Sequence, residues 1–165
     1  MLTIYKLNDS FNLYYSFNFF YIKIKFMKVK SQRDLRIEII NVIYAAELLN
    51  EQINLSDLFN ADNDLSNKQF KILENIKSNY DFYKKIIESF LKETWQWNRI
   101  SPLHRAIMLN ATNEFMSQIP PRIVINEAIE ITKIYFDDHT YKMINAILES
   151  IYKYLINIEV LSRKF

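Results

Sequence analysis

Residues 95–116 read WQWNRISPLHRAIMLNATNEFM, residues 119–136 read IPPRIVINEAIEITKIYF, and residues 137–151 read DDHTYKMINAILESI. The boundaries within this stretch decide the fold. Ser101 ahead of Pro102 is an N-cap residue followed by the helical position that best tolerates a proline, whose missing N–H would have been unpaired there anyway. A helix is therefore predicted from Pro102. It must stop before Pro120 and Pro121, which disfavour helical geometry in the residues preceding them and then supply a preset φ for the next helix. In that next helix Val124, Ala128, Ile131 and Tyr135 share one face, while Arg122, Asn126, Glu130 and Lys133 share another. Asp137 and Asp138 stand as acidic caps before a third helix. There Ile144, Leu148, Ile151 and Leu155 recur at three- and four-residue spacing beside Met143 and Ile147.

Working outward, the same periodicity predicts a helix over residues 32–49, with Leu35, Ile39, Val42, Ala46 and Leu49 as its buried stripe and Ile40 and Ile43 widening it. Residues 51–64 are acidic and contain no Lys or Arg, which reads as a connector with a short helical piece near residues 55–59. Between Ser66 and Lys92 the apolar spacing predicts two helices with a break near residues 78–81. Residues 1–26 differ from everything after them. FNLYYSFNFFYIKIKF (11–26) is dense in aromatics and lacks helical period, and Ile22, Ile24 and Phe26 alternate with Lys23 and Lys25 in strand fashion. The segment is too short and polar to span a bilayer and lacks a signal-peptide pattern. It is read as an extension ahead of Met27, dispensable to folding, arising from a misassigned start. Residues 27–158 are the domain, and residues 159–165 a tail.

The whole chain has 165 residues, half of them hydrophobic, no cysteine, no glycine and a formal net charge of +2. That length predicts one domain able to bury its own core. Without cysteine there is no disulfide framework, thiolate nucleophile or thiolate metal site, which suits a reducing compartment. Without glycine, phosphate-binding loops, dinucleotide fingerprints and nucleophile elbows lose the residue that allows close backbone approach or positive φ. Neither His104 nor His139 has a serine or carboxylate arranged around it in a catalytic motif, so the chain reads as a non-enzyme. Asp62, Asp64 and Ser66 imitate the start of a calcium loop, but Asn67 and Leu73 stand where glycine and glutamate are required. No metal or other cofactor is expected.

The charge is unevenly placed. Lys28, Lys30, Arg33 and Arg36 crowd the start of the first helix, relieved only by Asp34. Cations at a helix N-terminus oppose the macrodipole, so an anionic partner explains them better than helix stability does. An ordinary solvated basic run is the alternative.

The order of Trp95, Arg99, Leu103, Arg105-Ala106-Ile107, Ile119-Pro120, Ile125-Asn126-Glu127-Ala128, Lys133, Tyr135, and finally Lys142, Asn145, Leu148 and Glu149, resembles the NusB family of transcription antitermination factors. The resemblance extends over residues 28–152. It implies an all-α fold of about seven helices in two packed bundles, and a cytoplasmic, RNA-binding function in ribosomal-RNA synthesis. The RNA would be a boxA-like single strand, bound jointly with the small-subunit ribosomal protein NusE. By position, the resemblance puts Arg33, Arg36, Asp138, His139, Lys142 and Met143 on the RNA side, with Lys28 and Lys30 adding charge, and Tyr44, Leu48 and His104 on the partner side. The chain departs from the family pattern at Asp34 and Leu35, His104, Leu109, Phe136 and Ala146. The change at Asp34 and Leu35 bears on RNA affinity, those at His104 and Leu109 on the partner interface, and none on the fold. Two alternatives remain at this point: a scaffold that keeps the protein partner with little RNA affinity, and a relative of the NusB-like domain of ribosomal-RNA cytosine methyltransferases.

Overall fold

The structure is a computed structural model that describes residues 30–60, 65–92, 95–136 and 139–158. The readings made for residues 1–26, Lys28, the calcium-like Asp62 and Asp64, the caps Asp137 and Asp138, and the tail 159–165 lie outside them. The described helices all belong to one compact unit, Gln32–Phe165. Among the described residues there are seven α-helices, one 3-10 helix and no strand. In order they are α1 (Gln32–Leu49), α2 (Leu55–Asn60), α3 (Asn67–Ser78), α4 (Tyr80–Ser89), a 3-10 turn (Trp97–Arg99), α5 (Pro102–Met116), α6 (Pro121–Tyr135) and α7 (Thr140–Asn157).

Helix α5 is the centre. It packs against α1, α3, α4, α6 and α7, and every residue from His104 to Phe115 is buried. One bundle is formed by α5, α6 and α7; α1 and α3 pack on α5 and on each other, with α2 against α3. A helix surrounded on all sides is expected to be apolar all round, yet His104, Arg105, Asn110, Thr112, Asn113 and Glu114 are among its buried residues. Each polar group needs a partner there, because an unpaired buried one costs about 1–3 kcal/mol. Thr112 Oγ1 donates to the Met108 carbonyl at 2.9 Å. Asn113 Oδ1 accepts from Asn75 Nδ2 at 2.6 Å and from the Tyr83 hydroxyl at 3.3 Å, tying α3 and α4 to α5. Arg105 and Glu114 are paired with α1.

Local chemistry accounts for the helix ends. Ser66 and Gln69 form a reciprocal capping box at the start of α3, with Gln69 N to Ser66 Oγ at 3.3 Å and Ser66 N to Gln69 Oε1 at 2.8 Å. Gln69 Nε2 then reaches across to the Leu35 carbonyl at 3.2 Å and Glu38 Oε2 at 2.8 Å, fixing α3 on α1. With no glycine in the chain, the left-handed positions closing α1 and α5 fall to Asn50 (φ 55°) and Gln118 (φ 59°). Helix α6 avoids that requirement. Phe136, where the family commonly has glycine, is extended at φ −134° and ψ 128°, so no left-handed strain arises. Pro102 and Pro121 each open a helix as expected, but the Ser101 side chain makes no capping hydrogen bond; only its carbonyl is used, accepting from Arg105 N at 3.0 Å.

Two apolar faces differ from the sequence reading. The buried residues of α1 are Ile39, Ile40, Ile43 and Glu47, so its inward stripe is rotated from the one predicted, and Leu49 is 65% exposed. In α6, Val124, Ala128 and Ile131 are buried but Tyr135 is exposed. Both outliers are last residues of their helices, where the chain leaves the packed surface. The predicted stripe of α7 is buried as expected, at Ile144, Ile147, Leu148, Ile151 and Leu155.

Candidate nucleic-acid interface

The cations at the start of α1 meet carboxylates that the primary structure places far away. Arg33 donates from Nε to Glu127 Oε2 at 2.8 Å and from Nη2 to Glu127 Oε1 at 2.9 Å, a bidentate pair across 94 residues. Arg36 Nε donates to Glu114 Oε1 at 2.7 Å, and its Nη1 lies 4.0 Å from Glu127 Oε2. The two arginines differ in access. The Arg33 side chain is 36% exposed, whereas those of Arg36 and Glu114 are 13% and 11% exposed. Arg36 is thus an internal tie between α1 and α5, and the polar side of α1 at this end faces α5 and α6. Lys30 is half-buried just ahead of the helix.

From Arg33 the polar surface continues along α6 to the start of α7. Glu130, three residues after Glu127, accepts from Lys133 Nζ at 2.9 Å. Lys133 Nζ also sits 5.1 Å from the centroid of the Tyr141 ring, a cation–π contact. The His139 ring meets Tyr141 edge-on at 6.2 Å. His139 and Lys142 are exposed, while Met143 is half-buried against the core. Two sets of contacts, Arg33 with Glu127 and Glu130 through Lys133 and Tyr141 to His139, therefore lie three residues apart on α6, between the α1 start and the α7 start. Tyr141 belongs to this surface and was not singled out in the sequence, and Lys133 was read there on the polar face of its helix and in the family pattern with no binding role; the two lie eight residues apart on successive helices, and only the fold brings them together.

The residues assigned to the protein partner separate into surface and interior. Tyr44 is half-buried and Leu48 exposed, one turn apart on α1. His104 is 5% exposed; its ring stacks on Phe136 at 4.0 Å and its Nε2 lies 3.1 Å from Thr140 Oγ1. It thus packs beneath the α6–α7 corner. Leu109 is fully buried, so these two departures from the family pattern alter the core. Near the other end of α1, Glu47 is buried with three contacts from two residues, Arg105 and Tyr80. Arg105 Nε lies 2.9 Å from Glu47 Oε2 as a close ion pair, Arg105 Nη2 donates to the Glu47 carbonyl at 3.0 Å, and the Tyr80 hydroxyl donates to Glu47 Oε1 at 2.6 Å. Burial, with Glu47 adding to it, pushes the Tyr80 hydroxyl well above its ordinary pKa.

The two carboxylates at the α1 start titrate in opposite senses. The Arg33 hydrogen bonds hold Glu127 below its ordinary value of 4.5, whereas burial pushes Glu114 above 4.5 despite Arg36. A lowered folded-state pKa means that the contribution of Glu127 is complete above pH 4.5 and lost as the pH falls through its folded value. A raised one means that Glu114 favours the fold most below pH 4.5 and less as the pH rises through its folded value. Glu127→Gln is accordingly expected to flatten the acid limb of a stability–pH curve from urea unfolding. Glu114→Gln is expected to remove the decline just above pH 4.5.

Fold and interface together define an all-helical protein built on one buried central helix, with a paired-charge surface running from its first helix to its last. The sequence model of the NusB family matches residues 30–153, three-quarters of the chain, and the protein belongs to that family. The transcription antitermination protein NusB of Clostridium kluyveri is 35% identical over 102 residues, 61% of this chain and 63% of that protein. The NusB protein of Alkaliphilus oremlandii is 32% identical over 126 residues, 74% of this chain and 91% of that protein. Among solved structures, T. maritima NusB superposes with a TM-score of 0.65 at 28% identity, covering 75% of this chain and 92% of that one.

Proposed function

We propose that this NusB-family protein is a transcription antitermination factor acting in ribosomal-RNA synthesis in the cytoplasm. It binds a boxA-like single-stranded RNA together with a NusE-like small-subunit ribosomal protein. Its relatives carry the name of antitermination proteins. The observation that carries the RNA reading is the surface from Arg33, along Glu130 and Lys133 of α6, to Tyr141, His139 and Lys142 at the start of α7. Such a surface offers what single strands require: cations that follow the phosphates, and the exposed His139 ring beside the half-buried Tyr141 ring for unpaired bases to stack on. Arg33 and Lys142 supply charge, and His139 and Met143 flank the bases; Lys28, Lys30 and Asp138 enter this reading by their position in the family pattern alone. No cofactor enters this function, and catalysis has no part in it.

Salt dependence tests the reading. Each phosphate neutralised on a single strand contributes a slope of roughly −0.7 to log K against log salt. Arg33→Ala and Lys142→Ala are each expected to weaken RNA binding and make that slope shallower, as measured by fluorescence anisotropy from 50 to 300 mM salt, roughly the range where screening acts. Tyr44→Ala is expected to weaken binding of the NusE-like protein and leave RNA affinity of the free protein unchanged. The scaffold reading draws on a specific observation, since Arg33 and Arg36 are already matched by Glu127 and Glu114. Unchanged affinity and slope in Arg33→Ala and Lys142→Ala, with Tyr44→Ala still losing the partner, would establish the scaffold.

A further inference from the structure

We propose that Glu127 occupies, in the free protein, the seat on Arg33 that an RNA phosphate takes in the complex, so that binding exchanges a carboxylate for a phosphate. The inference rests on the RNA-binding reading above and adds to it an internal competitor. A carboxylate and a phosphate present the same fork of oxygens to a guanidinium. Glu127 fills that fork with Nε and Nη2 of Arg33 at 2.8 and 2.9 Å, which is the edge a phosphate would use.

Three features make the exchange feasible here and not at the neighbouring pair. Arg33 is 36% exposed, so a phosphate can reach its guanidinium, whereas Arg36 and Glu114 are closed in. Glu127 Oε2 already lies 4.0 Å from Arg36 Nη1, so the released carboxylate swings to a second cation and is not left buried and unpaired. Glu130, the next acidic residue on the same face, is itself held by Lys133, which limits its ability to take the vacated place. The exchange therefore keeps the number of ion pairs: phosphate takes the place of Glu127 on Arg33, and Glu127 closes on Arg36 from its present 4.0 Å. The cost is loss of the bidentate pair, and it is this cost that sets the affinity of the α1 end for RNA.

The test is a double-mutant cycle on a labelled single-stranded RNA carrying a boxA-like element. Glu127→Gln keeps the shape and removes the charge that competes with phosphate; affinity is expected to rise roughly two- to fivefold, the range of a partly exposed ion pair. In an Arg33→Ala background the same substitution is expected to do nothing, because no seat remains to be vacated. Glu127→Asp, which keeps the charge on a shorter arm, is expected to shift affinity the same way by less, and circular dichroism checks that each variant is folded. Weaker binding by folded Glu127→Gln would mean that Glu127 aims Arg33 at the RNA, overturning the proposal. An equal gain in the Arg33→Ala background would reduce the effect to general charge removal and overturn it too. If the unmodified protein binds no RNA at any salt, the RNA reading itself falls and the exchange falls with it.

Discussion

Arg36→Ala is expected to destabilise the protein by about 3–5 kcal/mol, because removing one member of a buried ion pair leaves the other as an uncompensated charge. Glu114 is that other member, 2.7 Å away and enclosed between α1, α5 and α6. The loss should appear as a lower urea midpoint with little change in the slope of the transition. Adding Glu114→Gln to Arg36→Ala is expected to restore much of it, since the amide can be buried at lower cost than the carboxylate. Acidification supplies a second check. Without Arg36, the Glu114 pKa rises further, so the variant's deficit should shrink as the pH falls and the carboxyl takes up a proton. Any fall in RNA binding by Arg36→Ala therefore reports on folding first, which is why the functional test relies on Arg33 and Lys142.

The second large effect lies in the central helix. Leu109→Ala is expected to cost roughly 3–5 kcal/mol, the sum of lost transfer energy and the cavity left in a core unable to collapse around it. Leu109 is fully buried on a helix enclosed by five others, so relaxation is limited. Leu49→Ala, at the exposed end of α1, is expected to change stability by no more than about 0.5 kcal/mol. Equal losses at the two sites would mean that α1 is rotated toward the stripe its leucines and valine suggest.

Much of the fold was legible in the sequence because its boundaries are local events. Pro102 and the Pro120-Pro121 pair place the ends of α5 and α6, and the apolar spacing of residues 144–155 gives the buried face of α7. The break between α3 and α4 falls at Asn79, within the span expected. Legibility failed first at the helix ends. Leu49 and Tyr135 continue the right period beyond the surface they would pack on, and periodicity carries no information about where a neighbour stops.

The candidate site was legible as a set of charges and not as an arrangement. Counting Lys28, Lys30, Arg33 and Arg36 against Asp34 gave a first turn short of anions, and the nearest further carboxylate in the chain, Glu38, is engaged by Gln69 Nε2 at 2.8 Å. The anions come from Glu114 and Glu127, 78 and 94 residues away in the chain. The sequence by itself determined the helices, their order and the family, because backbone geometry, proline and side-chain period act within a few residues. Only the tertiary structure decided that Arg36 is an internal tie while Arg33 stays reachable, and that His104 and Leu109 lie inside. Pairing and burial depend on which helix faces surround a residue, and those faces are assembled from segments far apart in the chain.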